Sequence, residues 1–280
     1  MPKNKLVAPP LKWVGGKRQL LDALEPLLPG EYTTYCEPFL GGGALLFGLQ
    51  PPSARVNDVN AELINVYRVV KDDVEALIAD LRRHKNEADY YYAIRDLDRD
   101  RRRYARLSPL KRASRLLYLN KTCYNGLYRV NASGQFNSPF GKYEKPNIVN
   151  AEKLRATSGY LREADVRFTC GDYAEVLADL PAGAFVYLDP PYFPVSETAN
   201  FTSYTRDGFG PDEQIRLKQC CDDLDRRGIK FMLSNSAADF IKDLYREYAI
   251  TIVRARRAVN SDSAKRGGVD EVVVRNYMQG

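Results

Sequence analysis

Apolar residues at Leu20, Leu21, Leu24, Leu27 and Leu28 recur at helical spacing and stop at Pro29-Gly30, which predicts a helix over 17–28. The rhythm then shortens. Residues 32–37 read as a strand, 44–49 as a short helix, 54–56 as a strand closing on Asn57-Asp58, and 61–70 as a helix. From Val74 to Asn120 the pattern is helical and strongly charged, with Tyr91, Ile94, Leu97, Tyr104, Leu116 and Leu119 among the buried-face candidates. Between Thr122 and Asn147 the chain turns rich in Asn, Gly, Ser, Pro and aromatics, and Asn131-Ala132-Ser133-Gly134 has the chemistry of a hairpin turn. Strand signals return at 166–170, 185–188, 229–233, 250–253 and 272–274, with helices predicted over 212–227 and 237–245. Strands alternating with helices predict an α/β fold with an open, Rossmann-like sheet. Its domain would be split, 1–70 plus 150–280, around a helical and hairpin insertion at 71–149.

The composition changes that picture in two places. The 280 residues contain a single histidine, His84, which argues against a Ser-His-Asp hydrolase and a multi-histidine zinc site. Its run, Arg82-Arg83-His84-Lys85, reads as a solvated helix face. Net charge is +6, but residues 82–129 hold 14 Lys/Arg against 5 Asp/Glu, so the basic excess is local. Such a block suits either a polyanion-binding face or a solvated helix with internal ion pairs. Five cysteines at irregular spacing, with no C-x-x-C pair, indicate neither a disulfide framework nor a metal cluster. With no apolar leader and no 18-residue apolar run, a cytoplasmic setting is expected.

Two motifs carry chemistry. The strand before Glu37-Pro38-Phe39-Leu40-Gly41-Gly42-Gly43 runs into a glycine turn and then a helix, where open α/β sheets bind nucleotide-like ligands. Asp58, ending the next strand, is positioned to accept bonds from ribose hydroxyls. The spacing is not G-x-G-x-x-G, and the acidic Glu37 disfavours a phosphate and suits an amine-bearing ligand. S-adenosylmethionine has that profile; a plain tight turn is the alternative. The second motif is Asp189-Pro190-Pro191-Tyr192, closing the strand 185–188. The Asp189 carboxylate and the Pro190 carbonyl could accept both N–H bonds of an aromatic amine and aim its lone pair. The prolines stiffen the loop, and Tyr192 offers a face for a base. A proline turn after a buried strand is the competing reading.

Together with Leu11-Lys12-Trp13-Val14-Gly15-Gly16-Lys17, Asn57-Asp58-Val59-Asn60, the 120–131 and 134–143 segments, 198–202 and Leu233-Ser234-Asn235, these motifs resemble the Dam-type DNA adenine N6-methyltransferases, in the family's order and over nearly the whole chain. The resemblance implies an S-adenosylmethionine-dependent methyltransferase sheet with a target-recognition insertion, and transfer of methyl to N6 of a flipped adenine in GATC. It implies Asp189, Pro190 and Tyr192 as catalytic residues, and Trp13, Lys17, Glu37, Phe39, Gly41, Asp58 and Asp189 as cofactor contacts. Without it, Trp13 reads as a core residue and Lys17 as a helix-start lysine. It also implies Lys12, Tyr124, Asn125, Leu127, Arg129, Pro139 and Tyr143 as contacts to double-stranded DNA. Arg129 would grip a guanine edge with two donors, and Leu127 would touch a thymine methyl. Arg254 to Asp270, with Arg256, Arg257, Lys265 and Arg266, suits either a phosphate clamp or a solvated loop.

No metal and no obligate protein partner is expected, and the chain would act as a monomer or weak dimer. No cysteine follows a proline, so the cysteine nucleophile of cytosine C5 chemistry is missing. The rivals are an RNA adenine methyltransferase and a catalytically idle DNA-binding module of the same fold.

Overall fold

The computed structural model describes residues 3–17, 20–195, 208–256 and 268–278, apart from the side chains at 255, 256, 268 and 269. The 198–202 match, Arg257, Lys265, Arg266 and the Arg256 side chain lie outside the described residues.

Strands β1 (Tyr35–Glu37), β2 (Ser53–Asn57), β3 (Asp165–Thr169), β4 (Phe185–Leu188), β5 (Lys230–Ser236), β6 (Ala249–Arg256) and β7 (Gly268–Arg275) form a sheet in the order β3-β2-β1-β4-β5-β7-β6. β1 pairs parallel with β2 and β4, and β4 with β5; β7 then enters antiparallel between β5 and β6. Helices are α1 (Leu21–Leu24), α2 (Ala44–Leu49), α3 (Ala61–Asp72), α4 (Val74–Leu81), α5 (Ala88–Arg95), α6 (Arg101–Ala105), α7 (Pro109–Thr122), α8 (Ala151–Glu163), α9 (Tyr173–Ala178), α10 (Pro211–Arg226) and α11 (Asp239–Leu244).

Local chemistry sets these boundaries. Asn60 caps α3, its Oδ1 accepting from the N–H groups of Glu62 and Leu63 at 3.1 Å each. Ser108 caps α7 by accepting from Lys111 N, and Pro109 fills the first turn, where no N–H is needed. β4 is buried at all four positions, as a strand with parallel neighbours on both sides requires. The helix expected over 17–28 is shorter: α1 passes into a 3-10 turn at Glu25–Leu27, where Pro26 supplies no donor.

The chain divides into two compact units. Unit one comprises Met1–Lys17, Gly41–Pro52 and Asp58–Cys170; unit two comprises Arg18–Leu40, Ser53–Asn57 and Gly171–Gly280. These boundaries differ from the division at 70 and 150 read from sequence: α3 and α8 fall in the same unit as residues 71–149.

In unit one, α3 packs against α7 and α8 through Leu63, Ile64, Val66, Tyr67 and Val70, all buried. In unit two the core gathers Val186, Leu188, Phe231, Leu233, Val272 and Val274 from the strands with Leu217, Cys221 and Leu224 of α10.

One expectation is corrected. His84 is not on a solvated helix face: it follows α4, half-buried, stacked on Tyr118 at 4.3 Å, with its ring nitrogens 3.0 Å from Tyr90 Oη and Ser114 Oγ. Burial lowers its pKa to about 4, so it is neutral at physiological pH.

Candidate active site and nucleic-acid interface

The glycine turn is secured by two consecutive residues at the end of β2. In unit two, Asn57 donates from Nδ2 to Pro38 O (3.1 Å) and Gly171 O (3.0 Å), and its carbonyl accepts from Leu40 N at 2.9 Å. In unit one, Asp58 Oδ2 accepts from Gly41 N at 2.9 Å and Oδ1 from Asn60 N at 2.8 Å, while Tyr67 Oη donates to Gly41 O at 2.7 Å. Burial raises the Asp58 pKa, against the two backbone N–H bonds that lower it. Each carboxylate oxygen keeps a second lone pair for a further donor.

Gly41 has φ +47°, and a Cβ there would lie 3.0 Å from Trp13 Cδ1. Only glycine lets the indole lie against this backbone. On the indole's other side Tyr128 stacks with ring centroids 4.5 Å apart. Lys17 is buried and donates from Nζ to Gly15 O at 3.1 Å.

The second site segment belongs to unit two. Glu37, on β1, is buried and accepts from Tyr35 Oη at 2.9 Å. Phe39 packs against Tyr173 and edge-on to Phe209. After β4, Asp189 is half-buried and Pro190 buried. The loop beyond is held by two completely buried amides. Gln214 of α10 donates from Nε2 to Pro191 O at 2.9 Å, Asn235 of β5 accepts from Phe193 N at 3.0 Å, and Asn235 Nδ2 donates to Gln214 Oε1 at 3.1 Å. Tyr192 Oη donates to Glu271 Oε2 at 2.7 Å. Burial, the Asp189 charge and that bond raise the Tyr192 pKa far above its ordinary value. Its phenol stays protonated and its polar end is committed.

The third segment is the exposed loop after α7, in unit one. Tyr124 N donates to Pro139 O at 2.8 Å, and Asn125, at φ +58°, stands exposed at the tip of the turn. Gly126 has φ +65°, and a Cβ there would lie 2.9 Å from Lys12 Cδ. Asn120 fixes that approach, accepting from Lys12 N and donating to Lys12 O, both at 2.8 Å. Lys12, Tyr124, Asn125, Leu127 and Pro139 are thereby gathered on one loop cluster. Arg129 is exposed and donates from Nε to Asn137 Oδ1 at 2.9 Å. Tyr143 lies over Gly141, where a Cβ would meet its Cε2 at 2.5 Å. The expected hairpin forms as a Val130–Phe136 antiparallel bridge, with Asn131 N donating to Gln135 O and Asn137 N to Arg129 O at 2.9 Å each, and its turn is held by Asn131 Oδ1 accepting from Ser133 N and Gln135 N.

Sequence reasoning missed Gln214 and Glu271. Gln214 had a signal: it shares the face of α10 with Leu217, Cys221 and Leu224, at i, i+3, i+7 and i+10. Asp172 caps α9 and pairs with Arg216. Arg254 stands on strand β6, its side chain exposed and 4.0 Å from Asp270. Among the described residues no three His, Cys, Asp or Glu converge as metal ligands, and no helix is long and apolar enough to cross a membrane. The Cys123 thiol is pushed up to about 11 by burial, which keeps it protonated.

A mixed seven-stranded sheet with an antiparallel strand inserted beside its last one, a glycine turn after β1 and a proline-stiffened acid after β4 defines the S-adenosylmethionine-dependent methyltransferase fold. Within that class, the model of the D12 class N6 adenine-specific DNA methyltransferase family matches residues 13–259, and the chain belongs to that family. It is 44% identical to the type II methyltransferase M1.LlaDCHI of Lactococcus lactis subsp. cremoris, covering 98% of both chains. Identity to the type II methyltransferase M.MjaIII of Methanocaldococcus jannaschii is 41%, over 97% of this chain and 99% of that one. The DNA adenine methylase of Serratia marcescens is 34% identical over 98% of each.

Proposed function

We propose that this adenine-specific DNA methyltransferase takes its methyl group from S-adenosylmethionine and places it on N6 of an adenine flipped out of double-stranded GATC. The observation that carries the reading is the Asp189–Tyr192 loop. Its backbone is pinned by two buried amides, so an acceptor carboxylate is held on rigid structure, as an amine of low nucleophilicity demands.

The residues around the glycine turn fit the donor. The turn has no Cβ at Gly41, no basic side chain to favour a phosphate, a desolvated carboxylate at Asp58 and an indole laid along its backbone. When bound, the donor supplies a methyl carbon on a positively charged sulfur. Trp13, Lys17, Glu37, Phe39, Gly41 and Asp58 hold it, with Glu37 and Asp58 favouring its ammonium and hydroxyl groups over any anion.

Asp189 and the Pro190 carbonyl accept the two N6–H bonds, localising the nitrogen lone pair and aiming it at the methyl carbon. Tyr192, its hydroxyl tied to Glu271, presents its ring to the extruded base. Transfer would be a direct displacement, with neither metal nor covalent enzyme intermediate: the N6–C bond forms as the S–C bond breaks, the neutral thioether leaves, and the surplus N6 proton passes by way of Asp189 to solvent. Lys12, Tyr124, Asn125, Leu127, Arg129, Pro139 and Tyr143 read or wedge the site, and residues 71–149 form the recognition region around them. The enzyme works in the cytoplasm of a bacterial or phage-infected cell, as a monomer or weak dimer.

The test is incorporation of labelled methyl into a GATC duplex, the same duplex with GATC scrambled, and a structured RNA, followed by digestion with endonucleases of differing tolerance for methylated GATC. Label confined to the first duplex, with altered digestion, is expected. Equal label in the scrambled duplex overturns the GATC assignment, and label in the RNA alone overturns the DNA one.

A further inference from the structure

One residue of the loop after α7 is accounted for neither as a base reader nor as a cofactor contact. Tyr128 lies between Leu127 and Arg129, yet its ring is turned inward. One face stacks on Trp13 at 4.5 Å with 21° between planes, and Phe136 meets it edge-on at 5.7 Å and 68°. The Asn60 side chain opposes the rise that burial gives the Tyr128 phenol pKa. Each neighbour belongs to a different working part. Trp13 lies along Gly41; Asn60 caps α3 and donates its N–H to Asp58, which holds Gly41; Phe136 bridges to Val130 in the loop.

The ring also lines a cavity of about 180 Å³, which it shares with Glu62, Asp98, Tyr104, Arg115 and Phe136, among others. Residues 98–101 tie the loop beside this cavity. Asp98 Oδ2 accepts from Phe136 N at 2.8 Å, Arg99 donates to Phe136 O at 2.7 Å, and Arg101 donates to Ser133 O at 3.0 Å. Asp98 is itself paired with the buried Arg115 at 2.8 Å. The Tyr128 ring joins the loop to the indole through its stack with Trp13 and its edge contact with Phe136. A shift of the loop therefore moves the indole, and a shift of the indole moves the loop.

We infer that Tyr128 is a positioning residue that couples duplex binding by the loop to donor binding at the Gly41 turn. This rests on the function proposed above. Coupling is reciprocal: the duplex must tighten donor binding by the same factor by which the donor tightens duplex binding. Linkages of this kind run from about 5-fold to about 150-fold.

Trp13 is the only tryptophan of the chain, so intrinsic fluorescence reports on this stack directly. The experiment titrates the non-reactive analogue sinefungin into the full-length protein, with and without a saturating GATC duplex, by Trp13 fluorescence and by calorimetry. It is repeated for Tyr128→Phe, which keeps the ring, and Tyr128→Leu, which removes it without emptying the site. Circular dichroism confirms that each variant is folded.

The wild type and Tyr128→Phe are expected to show at least about 5-fold tighter analogue binding with duplex, and Tyr128→Leu a ratio near 1. A wild-type ratio near 1, or an unreduced ratio in Tyr128→Leu, overturns the inference. Should Tyr128→Leu fail to fold, Phe136→Leu, which removes the edge contact, must reduce the ratio. No analogue binding by the wild type under any condition would instead overturn the donor assignment, so the two failures are distinguishable.

Discussion

The segment 189–195 after β4 and the loop after α7 are both held by side chains, but they are built in opposite ways. The first is pinned by fully buried amides from a helix and a strand, Gln214 and Asn235. The second stands in solvent at Tyr124, Asn125, Arg129, Pro139 and Tyr143, and is tied at its base by charged residues, Asp98, Arg99 and Arg101. Chemistry on a poorly nucleophilic amine tolerates little positional error, which calls for desolvated, completely paired anchors. Reading a duplex requires exposed donors and room to adjust, which calls for anchors at the rear.

Substitutions that separate the two loops should break or sharpen that contrast. The largest effect is expected for Asp189→Ala, which removes the carboxylate proposed to accept from the amine: methyl transfer should fall by at least about 10²-fold while filter-binding affinity for the duplex changes little. Equal losses of transfer and binding would merge the two roles. Next comes Asn235→Ala, which removes the oxygen that accepts from Phe193 N and the amide that donates to Gln214 Oε1. Breaking that buried network costs about 1–3 kcal/mol of stability, and kcat should fall with KM for DNA nearly unchanged. A variant altered only in KM would place Asn235 with the binding loop instead.

Arg129→Ala is expected to act on the other loop alone. It should relax discrimination at one base pair by about 1–3 kcal/mol, measured as the ratio of kcat/KM for GATC and singly substituted sites. A uniform loss over all sites would make Arg129 a backbone contact.

Smaller still are two pH effects. Because burial raises the Asp58 pKa, its carboxylate is protonated while ordinary carboxylates are still charged. Affinity for the donor analogue should therefore weaken on acidification before the ordinary carboxylate range is reached, and calorimetry from pH 7 downward reads this. His84 has the opposite sign of shift, from 6.5 to about 4. The unfolded chain takes up that proton first, so the contribution of His84 to Tm should fall as pH drops below about 6.5 and stop changing below about 4. His84→Gln should flatten that window of the Tm profile, and an unchanged profile would show that His84 does not set it.

Much of this was legible in the sequence, for reasons that can be traced to particular residues. The helix at Ala44–Leu49 and the strand at Phe185–Leu188 form at the predicted positions because apolar runs bounded by glycine or proline leave few alternatives. α8 was not anticipated because its buried face includes Thr157 and Ser158, whose hydroxyls bond to Ala8 O and Lys71 O, so no apolar stripe marks it. His84 was misread because its charged neighbours in sequence are not its neighbours in space, which are Tyr90, Ser114 and Tyr118. In the candidate site, the motif residues were visible as motifs. Their supports were less so: Gln214 is marked only by sharing the apolar face of α10, and the half-buried Glu271 looks like any surface residue until its partner Tyr192 is known.

The most direct measurement is mass spectrometry of nucleosides released from a GATC duplex after incubation with the protein and S-adenosylmethionine carrying a labelled methyl group. The account predicts labelled N6-methyldeoxyadenosine, one per strand at the GATC adenine, and none from the Asp189→Ala variant. Label on cytosine, label on adenines outside GATC, or an undiminished yield from Asp189→Ala would contradict it.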